Sequence, residues 1–146
     1  MSYKKIRLLI LALVLMTACQ KDDTSNAPVS TWTVGNTTYT STNPASFSSG
    51  TISAMDNNLN SDIEITFPSR PTMNGSYPVT ELDSSLNGSS ICVVNINTPS
   101  VSNYKGTGSE MVAVSLNNGK VTASFSNMQM RNGSQTAIAS GTIIEK

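Results

Sequence analysis

Apolar and polar residues alternate with a period of two near the C-terminal end of the chain. Residues 111–116 and 121–126 each show this alternation, and Asn118-Gly119 lies between them. Asn-Gly is a strong hairpin signal because both positions accept a positive φ. The pattern therefore predicts a hairpin with one buried face. Its inward positions are expected to be Val112, Val114, Leu116, Val121, Ala123 and Phe125.

Similar short patterns recur along the rest of the chain after residue 30. A second hairpin is predicted at 31–40 around Gly35-Asn36, and single strands are predicted at 48–55, 62–67, 75–80, 91–97 and 137–145. Eight to nine short strands punctuated by turns are typical of an all-β fold. We expect one domain over residues 31–146, folded as an antiparallel β-sandwich. A lipocalin-like β-barrel is the alternative.

Composition and charge exclude several classes of function. The chain has nine Lys plus Arg, nine Asp plus Glu and no histidine, with a pI near 6.1. The missing histidine excludes Ser-His-Asp triads and histidine metal sites. The neutral balance argues against a nucleic-acid partner, since that function needs a basic face.

The N-terminal residues are typical of a secretory signal. Lys4, Lys5 and Arg7 precede an apolar run over residues 8–16. As a helix this run would rise only about 14 Å, against roughly 30 Å of hydrocarbon in a bilayer. A signal peptide over residues 1–18 is therefore favoured over a spanning helix. Its removal would leave a mature chain with three fewer positive charges.

The end of this segment resembles a known processing site. Leu15-Met16-Thr17-Ala18-Cys19 is similar to the lipobox of bacterial lipoproteins, although Met16 replaces the usual Leu. The resemblance implies that Cys19 carries acyl chains, palmitate among them. Each buried methylene contributes about 0.8 kcal/mol, so several chains would anchor the protein stably in a lipid bilayer. An ordinary signal peptide followed by a chance cysteine is the alternative.

The residues after Cys19 suggest a destination. Gln20-Lys21-Asp22-Asp23 is similar to the short acidic export signal of surface lipoproteins in Bacteroidota-type bacteria. That resemblance implies lipid anchoring in the outer membrane with exposure at the cell surface. Residues 19–30 would then form the lipidated cysteine and a flexible polar tether. Residues 30–146 also resemble, diffusely, small β-rich lipoproteins of the same bacterial group, and this likeness implies no activity.

One polar stretch has the ligand spacing of a calcium loop. Asp56, Asn58, Asn60 and Asp62 place oxygen atoms at every second position. Calcium takes six to eight oxygen ligands. However, Ser61 stands where an EF-hand loop has glycine, and Phe67 stands where it has a bidentate glutamate. A polar turn between strands is the favoured interpretation, and no cofactor is expected.

Nucleophilic and acid–base chemistry have few candidates. Cys92 lies in the apolar strand 91–97 and is expected to be a buried structural thiol. Paired carboxylates could hydrolyse glycans if two of them converged in a cleft. Seven acids follow the tether, and we expect them to be surface charges: Asp56, Asp62, Glu64, Glu81, Asp83, Glu110 and Glu145.

Aromatic residues are the candidates for ligand binding. Trp32, Tyr39 and Tyr104 have rings that could stack on a glycan, although Trp32 and Tyr39 could equally pack in the core. Tyr104 precedes Lys105-Gly106 in a predicted loop and is expected to be the most exposed ring. The sequence therefore predicts a non-enzymatic, surface-anchored binding or accessory module with a glycan or protein partner. The alternatives are a lipocalin-like carrier of an apolar ligand and a carboxylate-dependent glycan hydrolase.

Overall fold

The protein folds as antiparallel β-structure. A computed structural model describes residues 29–43, 45–81, 86 and 90–146. Cys19, the export-like residues 20–23 and Asp83 lie outside the described residues. Within these ranges the strands are β1 (Ser30–Val34), β2 (Thr37–Ser41), β3 (Ser46–Ser48), β4 (Thr51–Met55), β5 (Asp62–Thr66), β6 (Gly75–Pro78), β7 (Val93–Asn97), β8 (Tyr104–Gly106), β9 (Met111–Asn117), β10 (Lys120–Asn132) and β11 (Gln135–Ile144).

The all-β antiparallel prediction is confirmed, but the described ranges hold eleven strands and not eight or nine. The two that the sequence did not predict are β3 and β8, each three residues long. Three residues are too few to establish a period-two pattern, so the sequence could not separate them from loops.

The predicted hairpin turns form as expected. Asn118 and Gly119 have φ values of 50° and 75°, and Asn117 pairs with Lys120 on either side of them. Gly35 has a φ of 59° in the two-residue turn between β1 and β2. These turns bring the predicted inward residues to one side. In β9 and β10 those residues are buried, except for the half-buried Leu116.

β10 organises the sheet because it is long enough to pair with two different neighbours on one side. Its first half pairs with β9, which pairs in turn with β6, while Met130 and Arg131 pair with β8. On its other side β11 follows it along its length, with a register shift between Phe125 and Met128. A bulge of this kind increases local twist and bends the strand. The sheet accordingly curls into a half-barrel.

The main path of the sheet runs β2-β1-β11-β10-β8-β7-β5-β4-β3, and two backbone hydrogen bonds connect parts of it that are not neighbours along the path. The Asn57 backbone N–H donates to the Thr40 carbonyl at 3.0 Å. The Ala45 N–H likewise reaches the Ile144 carbonyl at 3.3 Å. The first bond joins β2 to the segment after β4, and the second joins β11 to the residue just before β3. Among the described residues no continuous ladder joins β2 to β3 at the two ends of the path.

The concave side of the sheet is filled by apolar side chains. Ile63, Ile65 and Phe67 point inward as predicted. The largest of the other buried side chains are Trp32, Ile52, Ile96, Met128, Met130 and Ile143. The described part of the chain contains no helix of the length and apolarity needed to cross a membrane.

Candidate functional site

The loop between β4 and β5 is built around one buried carboxylate. Asp56 is only 4% exposed. Its Oδ1 accepts the backbone N–H groups of Asn60 and Ser61 at 2.6 and 2.7 Å, and its Oδ2 accepts that of Asn58 at 3.1 Å. Burial would raise the pKa of Asp56, but the three backbone donors outweigh burial and hold that pKa below its ordinary value. Asp56 therefore organises a turn, as the sequence interpretation favoured.

The structure does not bring the four candidate calcium ligands together. Asp56, Asn58 and Asn60 line one depression, whereas Asp62 lines another. The Asp62 carboxylate also accepts a hydrogen bond from the Asn97 side-chain amide at 2.9 Å. No cluster of three or more acidic or cysteine side chains suited to a metal occurs within the described ranges. The alternating spacing in sequence is thus a feature of the turn, because Asp62 already belongs to β5.

The depression beside Asp56 is the candidate functional site. It is open to solvent, with a volume of about 390 Å³. Three separate segments form it: edge strand β2, the loop after β4 and the loop between β7 and β8. Its lining residues are Thr37, Thr38, Tyr39, Thr40, Asp56, Asn57, Asn58, Asn60 and Pro99.

Tyr39 is the one aromatic ring among these lining residues. It is half-buried and packs nearly parallel to Trp32, with ring centroids 5.9 Å apart and planes 22° apart. Burial raises the pKa of the Tyr39 phenol, and the negative charge of Asp56 raises it further. The hydroxyl consequently remains a neutral donor at physiological pH.

The loop side of the depression is held against β2 by hydrogen bonds. The Asn57 carboxamide oxygen accepts the Thr42 N–H and the Thr42 hydroxyl, both at 3.0 Å. The Asn57 N–H donates to the Thr40 carbonyl, so this part of the edge strand is covered. The side chains of Asn58 and Asn60 are exposed at the rim. The site is therefore polar, and Asn57 fixes one side of it by hydrogen bonds to Thr40 and Thr42.

The other aromatic candidates are not available at a surface. Trp32 is fully buried, and its indole N–H donates to the Ser61 hydroxyl at 3.0 Å, so it packs in the core. The prediction that Tyr104 is the most exposed ring is wrong, since Tyr104 is only 8% exposed. Tyr104 pairs with Ile96 of β7 because the predicted loop is in fact strand β8, which turns this ring inward.

Cys92 is buried, as predicted, and is a free thiol. Its Sγ approaches the Tyr77 carbonyl at 3.7 Å. Burial raises the pKa of this thiol to about 12. Because the thiolate is the reactive form, Cys92 is suited to packing and not to nucleophilic chemistry.

Three of the described acids are engaged in contacts that join segments of the chain. Glu145 meets Arg70 at 2.6 Å, and Glu81 accepts two hydrogen bonds from Arg131, each at 2.9 Å. Glu110 accepts the Gln129 backbone N–H at 3.0 Å. These carboxylates therefore fasten loops to the sheet.

Asp62 and Glu64 are the remaining pair of interest. They stand two positions apart on one face of β5 and line a second open depression of about 320 Å³ beside Met55 and Leu59. Glu64 is exposed. The depression is open to solvent and does not enclose the two carboxylates in a cleft.

Comparison with known proteins adds no relative: no family model, curated protein or solved structure matches this chain. Sequence reasoning identified Tyr39 and the 56–60 loop separately. It missed Thr38 and Pro99, because nothing in their local sequence indicates that β2 and the loop after β7 meet in space.

Proposed function

We propose that this protein is a lipoprotein of the bacterial outer membrane, anchored through Cys19 and displayed at the cell surface. Its β domain would act there as a non-catalytic binding module. The proposal rests on a polar depression that contains the Tyr39 ring. The domain that carries it begins, among the described residues, with a strand at Ser30, a few residues after the lipobox-like and export-like segments.

The binding role is favoured over catalysis by how the polar groups are used. The sequence contains no histidine, and Cys92 is buried with a raised pKa. Glu81, Glu110 and Glu145 hold segments of the fold together. An open, polar depression without an activated nucleophile is suited to holding a ligand and leaving it unchanged.

For the architecture, we propose a two-layer, sandwich-like arrangement with a filled interior. The full burial of Trp32, Ile63 and Met128 on the concave side supports this arrangement. A lipocalin-like carrier would need an enclosed apolar cavity of several hundred cubic ångströms. Native mass spectrometry of the purified protein tests that alternative, since a co-purifying apolar ligand would favour the carrier.

The anchor is tested with Cys19→Ala. We expect this variant to lose labelling by radioactive or clickable palmitate and to leave the outer-membrane fraction. Unchanged labelling would overturn the lipoprotein proposal. Cys92→Ala is the matched control, because a buried thiol should carry no acyl chain and its loss should leave labelling intact.

Surface display is tested separately from anchoring. Replacing Lys21, Asp22 and Asp23 with alanine should preserve acylation but protect the protein from protease added to whole cells. The control replaces Thr24, Ser25 and Asn26 with alanine in the same tether, and it should remain protease-accessible. Continued accessibility of the first variant would contradict the export role.

A further inference from the structure

We infer that the depression formed by β2 and the 56–60 loop is a subsite for a neutral, hydroxyl-rich ligand of the saccharide class. This inference rests on the proposed binding function and specifies its ligand. Tyr39 would supply the stacking surface, and the amides of Asn58 and Asn60 would supply hydrogen bonds from the rim.

The first reason is the way Tyr39 is held. Trp32 packs against it at 5.9 Å and is itself fixed by its hydrogen bond to Ser61. A ring already immobilised by its neighbours loses little conformational entropy when a ligand binds. Rings of this kind carry an apolar face and a polar edge, which match the C–H face and the hydroxyl rim of a sugar.

The second reason is the density of polar partners around the ring. The depression is lined by threonines of β2 and by exposed asparagine side chains, which can both donate and accept. The Thr40 carbonyl points away from β1, toward Asn57. Because backbone direction alternates along an antiparallel strand, the Thr38 backbone N–H and carbonyl also point away from β1. A ligand with many hydroxyls can satisfy such a mixed set.

The third reason is charge. Asp56 is the one ionisable carboxyl group lining the depression, and its oxygens are already bonded to the loop backbone. No lysine or arginine is among the lining residues, so the repulsion between Asp56 and an anionic ligand would not be offset by a positive charge. The site therefore favours neutral saccharides over uronic acids or phosphates.

The dimensions agree with a short ligand segment and not with deep enclosure. A volume of about 390 Å³ lies toward the small end of ligand pockets. The depression is open, so a longer chain could continue past it along β2. We accordingly expect recognition of an internal or terminal portion of an oligosaccharide.

The experiment uses the single tryptophan of the chain as a reporter. Full-length protein purified in detergent is titrated with neutral gluco-, manno- and xylo-oligosaccharides of three to six units. Oligogalacturonate of matched length is the anionic comparator. Because Trp32 contacts Tyr39, binding at the subsite should change its emission, and calorimetry provides an independent affinity.

The variants separate this subsite from other surfaces. Tyr39→Ala should weaken binding about tenfold, corresponding to loss of a ring contact of about 1.4 kcal/mol. Tyr39→Phe should stay within about threefold of the wild type because it keeps the ring. The double variant Asn58→Ala/Asn60→Ala should weaken binding about fivefold without touching the core. Asn117→Ala, an exposed amide on β9, should leave affinity unchanged.

The outcomes test the saccharide subsite separately from the proposed function of a surface-anchored binding module. Saccharide binding that survives both Tyr39→Ala and the double asparagine variant would overturn the subsite but leave a binding module. Binding of an extended peptide in place of every saccharide would overturn the ligand class. Preference for oligogalacturonate would overturn the neutrality argument. Failure of the anchoring and display tests would instead remove the proposed function itself.

Discussion

Asp56 and Glu145 are both carboxylates whose pKa is held below its ordinary value, but they reach that state by different routes. Asp56 accepts backbone N–H groups from residues two, four and five positions further along the chain. Glu145 accepts the Val121 N–H, 24 residues away, and a hydrogen bond from Arg70, 75 residues away. Burial opposes ionisation at both positions, and the hydrogen bonds outweigh it.

The contrast between Asp56 and Glu145 shows two structural roles of carboxylates in this fold. Asp56 shapes its own loop and thereby places Asn58 and Asn60 on the rim of the depression. Glu145 joins the end of the chain to β10 and to the segment that follows β5. Arg70 extends this second contact, since it also donates to the Gly119 carbonyl and lies 4.5 Å above the Phe47 ring. Local bonds shape a loop, whereas long-range bonds join segments that are distant along the chain.

The largest effect is expected from Asp56→Ala. Three loop N–H groups would lose their acceptor, the Ser61 N–H in a buried contact and the other two in part-buried contacts, so we expect a loss of about 3 kcal/mol in the free energy of unfolding. Urea denaturation measures it. Asp62→Ala is the matched control and should cost less than about 1 kcal/mol, because its carboxylate accepts a single hydrogen bond at the edge of the same loop. Equal losses would refute the central role of Asp56.

A smaller effect is expected from Glu145→Gln. The variant keeps an acceptor for Val121 but loses the charge that attracts Arg70, whose side chain is 40% exposed. Solvent screens such a pair, so we expect a loss of about 1 kcal/mol. A double-mutant cycle with Arg70→Met isolates the pair. A coupling energy near zero would show that the contact between Arg70 and Glu145 does not stabilise the fold.

The acid limb of the stability curve should respond to both residues. Each carboxyl has a lowered pKa in the folded protein, so its stabilisation is present above the ordinary carboxyl pKa of about 4. It is lost as the pH falls through the lowered value. Asp56→Asn and Glu145→Gln should therefore each flatten the fall in stability below about pH 4. Urea titrations between acidic and neutral pH measure the slope, and an unchanged slope would contradict the assigned pKa directions.

The smallest expected effect is a difference between Asp56 and Glu145 in how their contributions to stability respond to salt. Raising NaCl to about 1 M shortens the screening length to about 3 Å and should remove a few tenths of a kcal/mol from the Arg70–Glu145 contact. Asp56 bonds to backbone groups without a net opposite charge, so its contribution should not change. We expect the salt dependence of stability to disappear in Glu145→Gln and to remain in Asp56→Asn. That result would establish that Glu145 acts through a charge pair and Asp56 through backbone hydrogen bonds.

Much of the sheet was predictable because the signals were local. The Asn118-Gly119 turn and the alternation around it identified β9 and the first half of β10, and the same reasoning placed β5. The short strands β3 and β8 left no such pattern. Because the sequence predicted a loop in place of β8, Tyr104 was wrongly predicted to be exposed. Whether an aromatic ring faces solvent depends on which strand pairs with it, and here that partner is β7.

The sequence by itself determined the alternating strands, their turns, the Asp56 loop and the exclusion of histidine chemistry, because each depends on residues close together in the chain. It also carries the lipobox-like segment at Cys19. Only the tertiary structure decided that Tyr39, the 56–60 loop and Pro99 share one depression while Asp62 faces another. Those juxtapositions depend on the strand order and the curl of the sheet, which bring together segments that are distant along the chain.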